Sequence, residues 1–84
     1  MDKKNETVNV LGYFVHKDDK ELNSYSVMVI INEKWSHTKE LTGYCPQESH
    51  FGTDREYLKE CRKISKDDYL KASKLFYTPA EYLQ

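Results

Sequence analysis

Along the chain the hydrophobic period changes near Gly52. Residues 7–16, "TVNVLGYFVH", and 25–32, "YSVMVIIN", are rich in β-branched and aromatic side chains and alternate with a period of two, the signature of strands. In the first, Val8, Val10 and Phe14 share one face and Leu11, Tyr13 and Val15 the other, with Gly12 marking a bulge or a close backbone approach. In the second, Tyr25, Val27, Val29 and Ile31 oppose Ser26, Met28 and Ile30. Apolar residues on both faces predict a central strand. The polar loop at 17–24 is too short for a crossover helix, so the two strands pair as an antiparallel hairpin. A lone hairpin is marginal in water, and a third strand is expected at 37–44.

Beyond Gly52 the period lengthens to 3.6. Thr53 and Glu56 form a capping box ahead of a helix at 54–62 that buries Tyr57, Leu58 and Cys61. A strand is the competing reading there, because Leu58, Glu60, Arg62 and Ile64 also alternate. Ser65 and Asp68 open a second helix at 66–77 with Tyr69, Ala72 and Phe76 on one stripe. Thr78, Pro79 and Glu81 open a short third one at 79–83. Strands followed by helices make an α+β domain, a small antiparallel sheet of about three strands covered by C-terminal helices. The charged start, "MDKKNE" at 1–6, should fray.

Size and charge narrow the functional classes. Eighty-four residues, 38% of them apolar, fill one core and make a single domain with a thin stability margin, which favours association. Six basic against eight acidic residues in 1–52, and seven against six in 53–84, leave no half with the positive field that duplex nucleic acid requires. The longest nearly apolar run is "VMVII" at 27–31, far short of the roughly 20 residues of a membrane span. No export signal precedes it, so the two cysteines are expected reduced in a cytoplasm.

The stretch "GYCPQESHFG" at 43–52 gathers a thiol, an imidazole, a proline and two aromatics between glycines. Four candidate chemistries touch it. His37, Cys45, His50 and Cys61 total four metal-binding side chains, but only Cys45 and His50 approach knuckle spacing, and the plainer reading is two surface histidines, a strand-end thiol and a buried helix-face Cys61. On that reading the thiols matter for stability alone, chiefly at Cys61. A Cys45/His50 nucleophile lacks an orienting carboxylate, an oxyanion loop and the bulk to enclose a small-molecule substrate. Tyr13, Tyr25, Trp35 and Tyr44 could stack single-stranded bases on a sheet face, yet only two arginines accompany them. Protein binding fits best. Seven tyrosines exceed what so small a core can hide, and Trp35, Tyr44, His50, Phe51 and Arg55 are the candidate anchors for a partner or a second copy, with no cofactor implied.

Pro46, His50, Glu56, Tyr57, the run Glu60-Cys61-Arg62 and the pair Asp68-Tyr69 together resemble the pattern of small uncharacterised proteins carried by conjugative and other mobile elements of Gram-positive bacteria. That pattern has a Pro-x-Gly-Gln-His run, where this chain has Glu48 and Ser49 in place of the glycine and glutamine. The resemblance spans residues 46–69, implies an intracellular accessory protein of a mobile element and favours the non-enzymatic readings.

Overall fold

The computed structural model describes residues 8–84. Residues 1–6, expected to fray, and Thr7, expected to begin the first strand, lie outside the described residues. Among the described residues five strands form one sheet: β1 (Val10–His16), β2 (Met28–Ile31), β3 (Leu41–Cys45), β4 (Ser49–Thr53) and β5 (Cys61–Ile64). Their order is β4-β3-β2-β1-β5, with every neighbouring pair antiparallel. Two helices accompany them, α1 (Arg55–Leu58) between β4 and β5 and α2 (Lys66–Ala72) after β5, followed by a 3-10 turn at Ala80–Tyr82. The antiparallel sheet with helices is as expected. It has five strands rather than three, and the helices are short and not confined to the C-terminal side of the sheet.

Each departure has a local cause. The strand expected from residue 37 starts at Leu41, because the amides of Trp35 and Ser36 turn back onto the carbonyl of Lys39. β4 arises from a tight reversal in which Pro46 follows Cys45 and the Glu48 amide donates to the Cys45 carbonyl at 3.0 Å, proline supplying the fixed φ of the second turn position. Ser49 closes the reversal at φ 73. The helix expected over 54–62 lasts one turn. Asp54, not Thr53, caps it, its carboxylate accepting the Tyr57 amide at 2.9 Å. Residues 61–64 then pair with β1, which satisfies the open edge of β1 and buries Ile64. A helix this short carries little stability of its own, so sheet pairing wins.

Downstream, Ser65 caps α2 by accepting the Asp68 amide, as its spacing predicts. That helix stops at Ala72 instead of 77, and Phe76, expected on the buried stripe, is 42% exposed. The segment expected as a helix at 79–83 is the single 3-10 turn, without a side-chain cap. The Thr78 hydroxyl is engaged elsewhere, 2.8 Å from the phenol oxygen of Tyr69.

The sheet is buried on both faces. One face gathers Tyr13, Val15, Val27, Val29, Ile31 and Ile64 beneath Tyr69, the other Met28, Ile30 and Leu41 with Leu11, Phe14, Phe51 and Leu58. β2 is therefore the doubly buried strand that its sequence predicts. In β1 the faces differ from a straight alternation, because Val10 lies opposite Ile31 and Gly12 opposite Ile30, leaving Leu11 as the extra residue of a bulge. Val10 thereby joins the side of Tyr13, and Leu11 that of Phe14.

The connection from β4 to β5 bends the sheet. In a flat sheet the two edges stand about 19 Å apart, and farther on the diagonal that joins Thr53 to Cys61. The linking segment contains a helical turn and spans about 19 Å at most. The sheet must curl around the second face, hereafter the concave face, where Leu58 packs with Phe51 and Ile30. The C-terminal segment covers the other face. There Tyr69 is fully buried with its ring 5.1 Å from that of Tyr13, whose hydroxyl donates to the Tyr82 carbonyl at 2.7 Å.

Candidate binding site at the β4 edge

β4 and β5 are the two edges of the sheet, and their chemistry differs. β5 carries Arg62 and Lys63, both exposed, the charges that keep an edge strand from pairing. β4 reads Ser49-His50-Phe51-Gly52-Thr53 and carries no formal charge. Among the described residues no strand pairs with its outer side. It is thus a short, uncharged row of backbone donors and acceptors flanked by rings on both faces.

Alternation sorts those rings. Phe51 lies opposite Gly43 and its ring occupies the space a Cβ at Gly43 would need, on the concave face. His50 lies opposite Tyr44 on the covered face, and the two rings meet edge to face at 5.0 Å. Tyr82 closes this group, its hydroxyl 2.8 Å from His50 Nε2 and its ring 5.8 Å from both. Trp35 reaches over from the β2–β3 loop and covers Gly52 as Phe51 covers Gly43, while remaining 47% exposed.

Of the five anchors that sequence nominated, Trp35 and His50 flank β4 on the covered face and Phe51 flanks it on the concave face. Tyr44 is 6% exposed and donates its hydroxyl to the Tyr77 carbonyl at 2.7 Å, so it supports the site from below. Burial pushes its phenol up from the ordinary tyrosine value. Arg55 follows β4 in α1 and reaches back to the β2–β3 region, 3.3 Å from the Asn32 amide oxygen and 3.6 Å from Glu40. The five surround one strand without forming one surface.

The same alternation separates Cys45 from His50. Cys45 pairs with Ser49 and His50 with Tyr44, one register position apart, so their side chains leave opposite faces of the hairpin. Cys45 is also the more buried thiol, reversing the expectation that Cys61 is. Among the described residues no three His, Cys, Asp or Glu side chains converge in a geometry able to hold a metal ion. Of the base-stacking candidates, Tyr13 and Tyr44 lie under the C-terminal segment with their hydroxyls engaged, leaving Tyr25 and Trp35 exposed.

Beside β4, on the concave face, opens a cavity of ≈ 460 Å³ lined by Phe51, Gly52 and Thr53 of β4 together with residues from six other parts of the chain. Tyr57 and Asp54 come from α1 and its cap, His16 from the end of β1, Met28 from β2, and Tyr25 and Asp19 from the β1–β2 loop. Cys45 and Glu48 border it at the β3–β4 turn, and Lys39 enters from the β2–β3 loop. His16 and Tyr57 lie ring to ring at 6.0 Å. Sequence reasoning missed His16, Asp19, Met28, Glu48 and Tyr57 as site residues. No local spacing signals them, since they meet only when the sheet curls.

No family model, curated protein or solved structure matches this chain. Among the described residues no helix is long and apolar enough to cross a membrane.

Proposed function

We propose that this chain is a non-enzymatic binding module that takes an extended segment of a partner protein as an added strand on β4. The observation that carries this reading is the contrast between the two edges: β5 is guarded by Arg62 and Lys63, whereas β4 is uncharged and bracketed by aromatic rings. In strand addition the main chain supplies affinity and alternate side chains supply specificity. The rings flanking β4 suit that division. A guest side chain on the covered face would lie beside His50 and Trp35, and one on the concave face beside Phe51 and the cavity. An accessory role in a mobile element, which the resemblance over residues 46–69 implies, is compatible with such a module.

The test is capture from a host extract followed by amide hydrogen exchange on the complex. The intact chain should recover a partner that slows exchange along β4, and a bait carrying His50→Lys and Trp35→Ala should not. Equal recovery by both baits, or β4 amides that exchange as fast in the complex as in the free chain, overturns the reading.

A further inference from the structure

We infer that the cavity on the concave face receives a lysine or arginine side chain of the segment that pairs with β4, an inference that rests on the strand-addition reading above. A strand laid along β4 sends every second side chain to the concave face. One of these stands beside Phe51, which is itself a wall of the cavity. What that side chain meets is decided by the lining.

Among the described residues that border the cavity, Asp19, Glu48 and Asp54 bring three carboxylates against the single ammonium of Lys39. Lys39 stands 3.7 Å from Asp54, whose carboxylate also caps α1. Among the described residues neither Asp19 nor Glu48 has an ion-pair partner within 4.0 Å. Arg62 approaches Asp19, but its guanidinium donates to the backbone carbonyl at 3.1 Å. The same lining holds the rings of Phe51, Tyr25, Tyr57 and His16 and the thioether of Met28.

A long basic side chain matches this mixed lining, because its methylene stem can lie on rings and sulfur while its charged end meets carboxylates. An acidic guest would bring like charges together in a partly enclosed site. A short neutral one would leave the carboxylates partly desolvated without a counter-charge. The charge of the lining therefore selects for a cation, and its mixture of rings and carboxylates selects for one carried on a long apolar stem.

The probe is a phage-displayed library of random dodecapeptides selected against the full chain, against the edge variant His50→Lys with Trp35→Ala, and against Asp19→Lys with Glu48→Lys. Asp19 and Glu48 are both exposed, so their substitution spares the core. The intact chain should select alternating, β-branched sequences with a lysine or arginine at one fixed position. The edge variant should lose them, and the charge-reversed variant should replace the basic position with an acidic one. Replacing the selected basic residue with norleucine should weaken binding about two- to fivefold, the scale of a solvent-accessible ion pair. Sequences that depend on the β4 edge but have no basic position, or that the charge-reversed variant selects unchanged, overturn this inference and leave strand addition standing. Recovery of no sequences, or of sequences indifferent to the edge variant, overturns both.

Discussion

The thiol of Cys45 is 4% exposed and points at two backbone carbonyls, those of Ser24 at 3.4 Å and Tyr25 at 3.6 Å. Cys61 is half-buried on β5 with its sulfur 3.5 Å from the Tyr57 carbonyl, and burial raises its pKa above the usual thiol value. Serine affects the two sites differently. At position 45 a hydroxyl on its shorter bond falls short of both carbonyls and is buried underpaired, which costs roughly 1–3 kcal/mol. At position 61 water reaches the group, and the change should stay within about 0.5 kcal/mol. Urea denaturation of Cys45→Ser and Cys61→Ser should show the larger drop in midpoint for the former. Equal drops would mean that the Cys45 pocket relaxes to pair the hydroxyl. The glycines also make sense residue by residue: Gly43 and Gly52 leave room for the rings of Phe51 and Trp35, so aromatic side chains lie flat against the backbone of the sheet.

At the scale of the element, β1 depends on its bulge. Gly12 sits at φ +151, where L side chains are strained, and a Cβ there would meet Lys63 Cε at 2.7 Å. The lysine tip can move away, so the backbone sets the cost, about 1–3 kcal/mol for Gly12→Ala. Adding Lys63→Ala should recover little of that loss in urea denaturation. Substantial recovery would identify the clash as the cause. This element also explains how much the sequence discloses. β1 and β2 are legible because apolar residues crowd both of their faces, and Gly12 announces the irregularity without saying which residues change sides. β4 and β5 are not legible, because an edge strand needs only part of its surface buried and its residues remain polar. For β5 the alternation from Leu58 to Ile64 was the competing signal, and the pairing demand of β1, a non-local term, decides it. Of the candidate site, Trp35, His50 and Phe51 are legible as unusual residues near one turn. The cavity is not, since it draws on α1 and two loops brought together by curvature.

Across the whole molecule, the covered face is joined by tyrosine hydroxyls. Tyr13 and Tyr44 donate to carbonyls of the C-terminal segment, Tyr69 pairs with Thr78, and Tyr82 pairs with His50. Each tie links the sheet or α2 to the last eight residues, 77–84, so the C-terminal cover is fastened by groups that must stay protonated where they are buried. Burial raises the pKa of Tyr13, Tyr44, Tyr57 and Tyr82, and pushes Tyr69 up to about 12 from 10.0. Raised folded-state values mean that this stabilisation is complete below pH 10. Between pH 10 and 12 the unfolded chain ionises its tyrosines while the folded chain holds the proton on Tyr69, so the unfolded state binds fewer protons and stability falls as pH rises. The urea midpoint should therefore decline from pH 9 to pH 11. In Tyr69→Phe the stability at pH 9 should be lower by about 1 kcal/mol for the lost hydrogen bond to Thr78, but the decline of the midpoint toward pH 11 should be shallower than in the intact chain. Parallel declines in the two proteins would show that Tyr69 does not carry the alkaline sensitivity, and would move it to the tyrosines nearer the surface.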